Sequence, residues 1–375
     1  MNYDVIIIGA GASGLAAAIT AAQAGESVLV LERMPRAGKK ILATGNGRCN
    51  VSNRHAATHE YHNKHFAAPA LQAFGAAQCE AFFHGLGLAL WEDAEGRLYP
   101  RSNMAASVLD ALRFGATRAG AEMLCDTAAA QLARTNGEFV VNSKWHARRV
   151  IIAAGGCAAP AHGSDGSGFA LLRDLGHTII TPKPALVQLR CNWPLLPSLK
   201  GLRVRARAAL KYDDEVLRES EGEILFTDDG ISGIAAMELS LAYRPGCTIE
   251  LDLLPDYTHE QLENLLTQWQ TDLPLAGLLP KRVAEAVVKS GQSPKKIALP
   301  VMGTRDFLHA QVTAGGADVR EFDPHTLQSK LVPGLFACGE VLDVHGGCGG
   351  FNLHWAWASG VLAGTRRRCA GELAT

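Results

Sequence analysis

The sequence predicts an α/β fold whose main domain, built on a parallel sheet, is assembled from both chain ends and interrupted by an inserted β-barrel-like and helical domain. Three observations predict it. A strand, glycine-rich turn, helix and second strand open the chain; apolar strands ending in glycine recur at Arg149–Gly156 and Leu335–Gly339; and the texture between them changes to short strand-like pieces.

The composition sets the frame. With 375 residues, 47% hydrophobic and 19% charged, the chain is long and apolar enough for an ordered protein of two or three domains. A formal net charge of −1 gives no general field toward nucleic acid or an anionic membrane, so a small-molecule substrate is the expected partner. There is no apolar run long enough for a spanning helix and no signal-peptide layout, so a cytoplasmic location is expected; the oligomeric state is not legible. The nine cysteines are scattered without a Cys-x-x-Cys pair, which argues against a disulfide framework and against flavin-linked disulfide reductases.

The first element, Val5–Ile8, is a β-branched run of the kind buried on both faces of a parallel sheet. It leads into Gly9-Ala10-Gly11-Ala12-Ser13-Gly14. In that pattern Gly9 makes the tight turn, Gly11 lets the backbone approach a pyrophosphate and Gly14 lets the following helix close on the strand. Residues 13–24 read as a helix stopped by Gly25, with Ser13 and the other first-turn amides facing the phosphates. A second apolar strand, Val28–Leu31, ends in Glu32, 18 residues beyond Gly14, where an acid accepts ribose hydroxyls. Together these form a Rossmann-type dinucleotide cradle.

NAD and FAD both use such a cradle, and the next segment bears on the choice. Arg33, Arg36, Lys39 and Lys40, then Thr44-Gly45-Asn46-Gly47-Arg48-Cys49-Asn50, make a basic, amide-rich loop able to serve a pyrophosphate and a flavin. FAD is the expected cofactor. The strand 149–154 ends in Gly155-Gly156, and Leu335–Cys338 ends in Gly339-Glu340 with Asp343 beyond; an acid there could accept from a ribityl chain. His345-Gly346-Gly347-Cys348-Gly349-Gly350 then enters an apolar helix through Phe351 and Asn352 to Ala363, whose open first amides would favour negative charge on a reduced flavin. The expected domains are therefore 1–190 with 312–375 for FAD, and 191–311 inserted. Only one complete cradle is present, so NAD(P)H is expected as a transient electron donor rather than as the ligand of a second such domain.

Within the insert, 202–210, 223–226 and 248–254 read as strands. Arg203, Arg205 and Arg207 alternate and so share one face, read as solvated rather than as an anion-binding surface. Thr258 and Gln261 form a capping box opening a helix to about Gln270, and a further helix is expected over 281–289.

These residues resemble the bacterial flavoproteins described as aminoacetone-oxidase-like or bile-acid-reductase-like NAD(P)/FAD-dependent oxidoreductases. The resemblance runs nearly end to end and is most specific at Thr44–Asn53, Val312–Gly316 and Gly339–Asp343. It implies a glutathione-reductase-type FAD fold with an insert, and FAD contacts around Gly11, Ser13, Glu32, Lys39, Lys40, Thr44, Asn46, Gly339, Gly350 and Asn352. It implies no single substrate. Where the family reads Phe-Thr-His-x-Gly-x-Ser-Gly-Pro, this chain has Asp228 for His and Ile234 for Pro; the usual Gly-Pro-Thr-Gly-Gly-Tyr-Asn-x-Gln becomes Gly346-Gly347-Cys348-Gly349-Gly350-Phe351-Asn352-Leu353-His354.

For chemistry, His345 and His354 flank the proposed flavin loop and are the candidates for proton transfer, with a structural role as the competing reading of each. Cys49 and Cys348 read as inert thiols, and His55, His59, His62 and His65 as a polar surface loop rather than a metal site. The expected function is an FAD-dependent oxidoreductase reducing an unsaturated or carbonyl small molecule with NAD(P)H. A small-amine oxidase releasing peroxide, and a flavin-dependent binding protein without turnover, are the alternatives.

Overall fold

The computed structural model describes residues 1–269 and 273–365; Gln270 and Cys369 therefore lie outside the described residues. The chain forms two compact units, one from Met1–Lys183 with the segment from Val312 onward, the other Pro184–Gln311.

In the first unit, β1 (Asn2–Ile8), α1 (Ala12–Gln23) and β2 (Val28–Leu31) make the opening βαβ turn. Strands β3 (Glu122–Leu124), β4 (Trp145–Ile152) and β5 (Leu335–Ala337) complete a parallel array in the order β3-β2-β1-β4, with β5 on the outer edge of β4. The N-terminal half of β4 pairs instead with Glu138–Val141, the middle strand of an antiparallel meander with Leu132–Thr135. Val5, Ile6, Ile7 and the whole of β2 are buried, as expected of strands covered on both faces.

The helix α2 (Phe351–Gly364) crosses α1 at very short range. A Cβ on Gly360 would overlap the Ser13 carbonyl, and one on Gly364 would lie 2.5 Å from the Ala17 carbonyl oxygen. Glycine at both positions lets the C-terminal helix seat against the first, bringing the two chain ends together.

The second unit is a closed antiparallel barrel of six strands in the order Leu189–Cys191, Gly230–Ser232, Glu215–Phe226, Arg203–Tyr212, Thr248–Asp252 and Ile297–Thr304. Val204, Ala206, Ala208 and Leu210 are buried while Arg203, Arg205 and Arg207 face out, the period-two division of a small filled barrel. The capping box is present: Thr258 Oγ1 accepts from the Gln261 amide at 3.1 Å, and Gln261 Oε1 accepts from the Thr258 amide at 2.8 Å. The helix it opens runs His259–Gln268, and the next runs Lys281–Ser290. Among the described residues no helix is long and apolar enough to cross a membrane.

Candidate functional site

Gly9, Glu32, Gly155 and Gly339 each follow the C-terminal end of a parallel strand, so the glycines and acid singled out in the sequence share one edge of the sheet, where open α/β sheets hold ligands. Gly9 has φ +104, and a Cβ there would lie 2.5 Å from the Ala153 carbonyl oxygen. Gly14 is closed off by the Gly9 carbonyl. A Cβ on Gly11, by contrast, would meet nothing within 4 Å: the backbone at the head of α1 faces open space of the kind a pyrophosphate fills.

Glu32 is buried at the end of β2, its Oε2 accepting the Ala10 amide and its Oε1 the Met34 amide, both at 2.8 Å. Those bonds hold the carboxylate beside the turn with lone pairs to spare for ribose hydroxyls. Arg33 points to solvent and pairs with Asp165. Lys40 Nζ lies 2.7 Å from Glu340 Oε2, and the other oxygen of Glu340 accepts the Thr313 amide at 2.6 Å. Lys39 is half-buried beside it.

Residues 44–53 and 346–352 are stitched together although 300 residues separate them in sequence. Asn53 Nδ2 donates to the Gly349 carbonyl at 3.1 Å, Trp357 Nε1 to that of Val51 at 2.9 Å, and a Cβ on Gly350 would lie 2.7 Å from Asn50 Oδ1. Gly45, Asn46 and Gly47 all have positive φ, which turns Thr44–Gly47 into a tight hook with Asn46 exposed. Asn50 Oδ1 is buried without a hydrogen-bond partner. A flavin ring N–H or a ribityl hydroxyl is the kind of donor that would satisfy it. Asn352 braces the loop, accepting from the Gly346 amide and donating to the carbonyls of Gly346 and Gly347.

At the end of β5, Gly339 has φ +75, its amide donating to Ser359 Oγ at 2.9 Å and its carbonyl accepting from Trp355 Nε1 at 3.2 Å; Ser13 Oγ reaches the neighbouring Cys338 carbonyl at 3.4 Å. At the end of β4, Gly155 has φ +74 and lies against Ser164. Thr313 Oγ1 accepts the amides of Cys157 and Ala158 at 2.8 and 3.0 Å.

The histidines separate. His354 is fully enclosed, Nδ1 2.7 Å from Ser52 Oγ and Nε2 2.7 Å from the Phe74 carbonyl oxygen. Burial pulls its imidazole down to about 4, against the opposing hydrogen bond to Phe74. With both nitrogens committed, His354 is a neutral structural pin with no ring atom left for substrate. His345 is buried in the loop, its ring stacked on His62 at 4.8 Å between centroids. Asp343 turns its carboxylate to the Gly315 amide (2.9 Å), Asn63 Nδ2 (3.3 Å) and His62 Nε2 (3.2 Å). Phe351 carries the flat-stacked ring of His59, 3.5 Å away. His59 and His62 thus dock on the C-terminal loop, while His55 and His65 are exposed; among the described residues no three His, Cys, Asp or Glu gather as a metal site. Burial pushes the Cys49 thiol up to about 11 despite its hydrogen bond to Thr44, as befits an unreactive thiol.

Asn63, Thr313 and His62 were not among the site residues picked from sequence. Their partners lie far along the chain, so spacing carries no signal for them. A concavity of about 410 Å³ lined by Leu86, Arg101, Ala111 and Phe114 includes none of the cradle.

This fold and cradle define an FAD-dependent oxidoreductase with a Rossmann-type nucleotide domain. Residues 3–366 match the family described as "HI0933-like protein Rossmann domain", and the chain belongs to that family. It is 36% identical to the 3-dehydro-bile acid delta(4,6)-reductase of Clostridium scindens, over 98% of each chain. It is also 30% identical to the ribosomal RNA dihydrouridine synthase of Escherichia coli K12, over 96% of each. Among solved structures, the 3-ketosteroid delta1-dehydrogenase of Sterolibacterium denitrificans superposes with a TM-score of 0.53 at 12% identity, covering 97% of this chain and 98% of that one, a likeness of fold.

Proposed function

We propose that this protein reduces a carbon–carbon double bond conjugated to a carbonyl group in a small molecule, with NAD(P)H as electron donor. The observation that carries the reading is the 36% identity, end to end, to a protein named as a delta(4,6)-reductase. The second relative favours the same bond chemistry, since dihydrouridine is uridine hydrogenated across a double bond next to a carbonyl.

Gly9, Gly11, Gly14 and the head of α1 would hold the pyrophosphate, Glu32 the ribose, and Thr44–Asn50, Lys39, Lys40, Glu340 and Gly349–Asn352 the remainder of the cofactor. FAD, when bound, supplies two-electron hydride chemistry. The chain's own tasks are to exclude water, orient the double bond and provide a proton, for which His345 is the buried titratable group in the loop.

The test is anaerobic. NADH or NADPH bleaches the bound flavin within seconds, and an α,β-unsaturated ketone restores its colour. A flavin that resists both donors and instead bleaches with a small primary amine, releasing peroxide in air, overturns the reading in favour of an amine oxidase.

A second reading, uridine in ribosomal RNA as the substrate, is favoured by the 30% identity to dihydrouridine synthases. Two features weigh for a small molecule. The net charge is −1, and the arginine face of the barrel is neutralised by Glu221 and Glu223. Mass-spectrometric measurement of dihydrouridine in ribosomal RNA incubated with the reduced enzyme separates the two.

A further inference from the structure

We propose that the side-chain carboxamide of Asn50 binds the pyrimidine edge of the flavin ring, its Oδ1 accepting the ring N3–H; the proposal rests on the FAD site above and holds whatever the substrate. The residue stands where the two far-apart segments of the site meet. Before it, the Cys49 amide donates to the Thr44 carbonyl at 3.0 Å and closes the hook. After it, Val51 is held from both sides, its amide donating to the Leu98 carbonyl at 2.7 Å and its carbonyl accepting from Trp357 Nε1 at 2.9 Å. Residue 50 is thus fixed between two anchored neighbours, and its side chain leaves from a set position.

The polar side chains that follow are already engaged. Ser52 Oγ lies 2.7 Å from His354 Nδ1. Asn53 donates to the Gly349 carbonyl at 3.1 Å and accepts from the His55 amide at 2.9 Å. Asn50 Oδ1 is buried as they are and has no such partner. An amide oxygen taken out of water without a donor is destabilising, and a donor carried in by the cofactor removes that cost.

Glycines keep the approach to this oxygen clear. A Cβ on Gly350 would come within 2.7 Å of Asn50 Oδ1, and one on Gly45 within 2.8 Å of the Asn50 amide nitrogen, so neither segment covers the carboxamide with a side chain at these points. Gly350 also marks the head of α2, whose first-turn amides carry the positive end of the helix dipole. An acceptor and a set of amide donors therefore lie side by side. The pyrimidine ring of a flavin presents the matching pair on adjacent atoms, the C2 carbonyl for the amides and N3–H for the carboxamide, while Nδ2 of Asn50 can donate to a carbonyl flanking N3. N3–H is the single N–H of the oxidised ring, rigid in the ring plane, and it needs an acceptor once buried. A ribityl hydroxyl turns about its own C–O bond and is not tied to one acceptor.

The experiment reconstitutes the protein with FAD isotope-labelled at its ring nitrogens and follows N3, together with the pyrophosphate phosphorus signals, by NMR; FAD affinity is measured alongside by fluorescence quenching. Asn50→Ala is expected to move the N3 resonance, to speed exchange of its proton with solvent and to weaken FAD binding by about three- to tenfold, with the phosphorus signals in place. Asn50→Asp retains an acceptor and keeps N3 near its wild-type position. An N3 resonance that Asn50→Ala leaves unmoved overturns the proposal, and a loss of FAD affinity in that case assigns the donor to a ribityl hydroxyl. Phosphorus signals that move together with N3 overturn it as well, because the substitution has then loosened the whole site. A wild-type protein that takes up no FAD overturns the FAD assignment itself, and the proposal with it.

Discussion

Gly14 stands so close to Gly9 that a Cβ on the first would overlap the carbonyl oxygen of the second. Helix α1 can therefore begin directly over the end of β1 only if residue 14 has no side chain. Gly11, three residues earlier, has free space where its Cβ would go, and its φ of −79° suits any residue. The two glycines of one motif accordingly serve different ends, and substitution separates them. Gly14→Ala is expected to destabilise the apoprotein by about 1–3 kcal/mol through overpacking. Gly11→Ala should leave apoprotein stability within about 0.5 kcal/mol. It should nevertheless weaken FAD binding by about tenfold or more, or about 1.4 kcal/mol. Denaturant melts and FAD titration by fluorescence quenching check both; equal loss of stability in the two variants would contradict the assignment.

The His354 pin makes stability depend on pH in a definite direction. Its folded value, about 4, lies below the ordinary 6.5 of an unfolded histidine. Above about 6.5 both states carry a neutral ring and the full contribution is present. As pH falls from there toward 4, the unfolded chain takes up a proton that the folded chain refuses, and stability drops by roughly 1.4 kcal/mol per pH unit from this group. His354→Gln keeps an acceptor for Ser52 and a donor for Phe74 without titrating, so its stability should fall less steeply than wild type between pH 6.5 and 4. Parallel curves for the two proteins would remove His354 as the cause.

Thr313 ties strand 312–317 to the turn that follows β4 through one oxygen. Thr313→Val preserves its shape and deprives the amides of Cys157 and Ala158 of their shared acceptor. Leaving buried donors unsatisfied should cost about 1–3 kcal/mol, with Thr313→Ser recovering most of it. If the serine protein melts with the valine protein, the methyl group rather than the hydroxyl is what matters.

Much of the cradle was legible because its signal is local. Gly9, Gly11, Gly14 and Glu32 lie within one βαβ unit, and each residue's task follows from its offset from a strand end. Gly360 shows where such reading stops. In sequence it is an interruption tolerated by an apolar helix, whereas in the fold it is the point where α2 touches the Ser13 carbonyl of α1. His354 likewise looks reactive beside the glycine loop, and only the positions of Ser52 and Phe74, 302 and 280 residues away, show that its ring is fully engaged. Contacts at that separation leave no periodicity to read, and burial by a distant segment is what decides whether an imidazole titrates.

The barrel arginines provide the last prediction, because they bear on the choice between a small molecule and RNA. Arg203, Arg205 and Arg207 form an exposed stripe, yet Arg203 pairs with Glu223 and both Arg205 and Arg207 with Glu221, at 2.7 and 3.1 Å. Glu221 and Glu223 belong to the neighbouring strand, opposite Arg207 and Arg205 in register, so the stripe comes with its own counter-charges. Arg207 first, and then Arg205, hold the Glu221 carboxyl below its usual range. An RNA-binding face would instead leave its cations free for phosphates, and each phosphate contact would add to the salt dependence of binding. Replacing all three arginines by alanine should therefore leave enone reduction unchanged and remove no salt-sensitive RNA affinity. A variant that reduces enones normally but loses RNA binding whose strength falls steeply with salt would turn the stripe into a nucleic-acid surface and move the assignment toward ribosomal RNA.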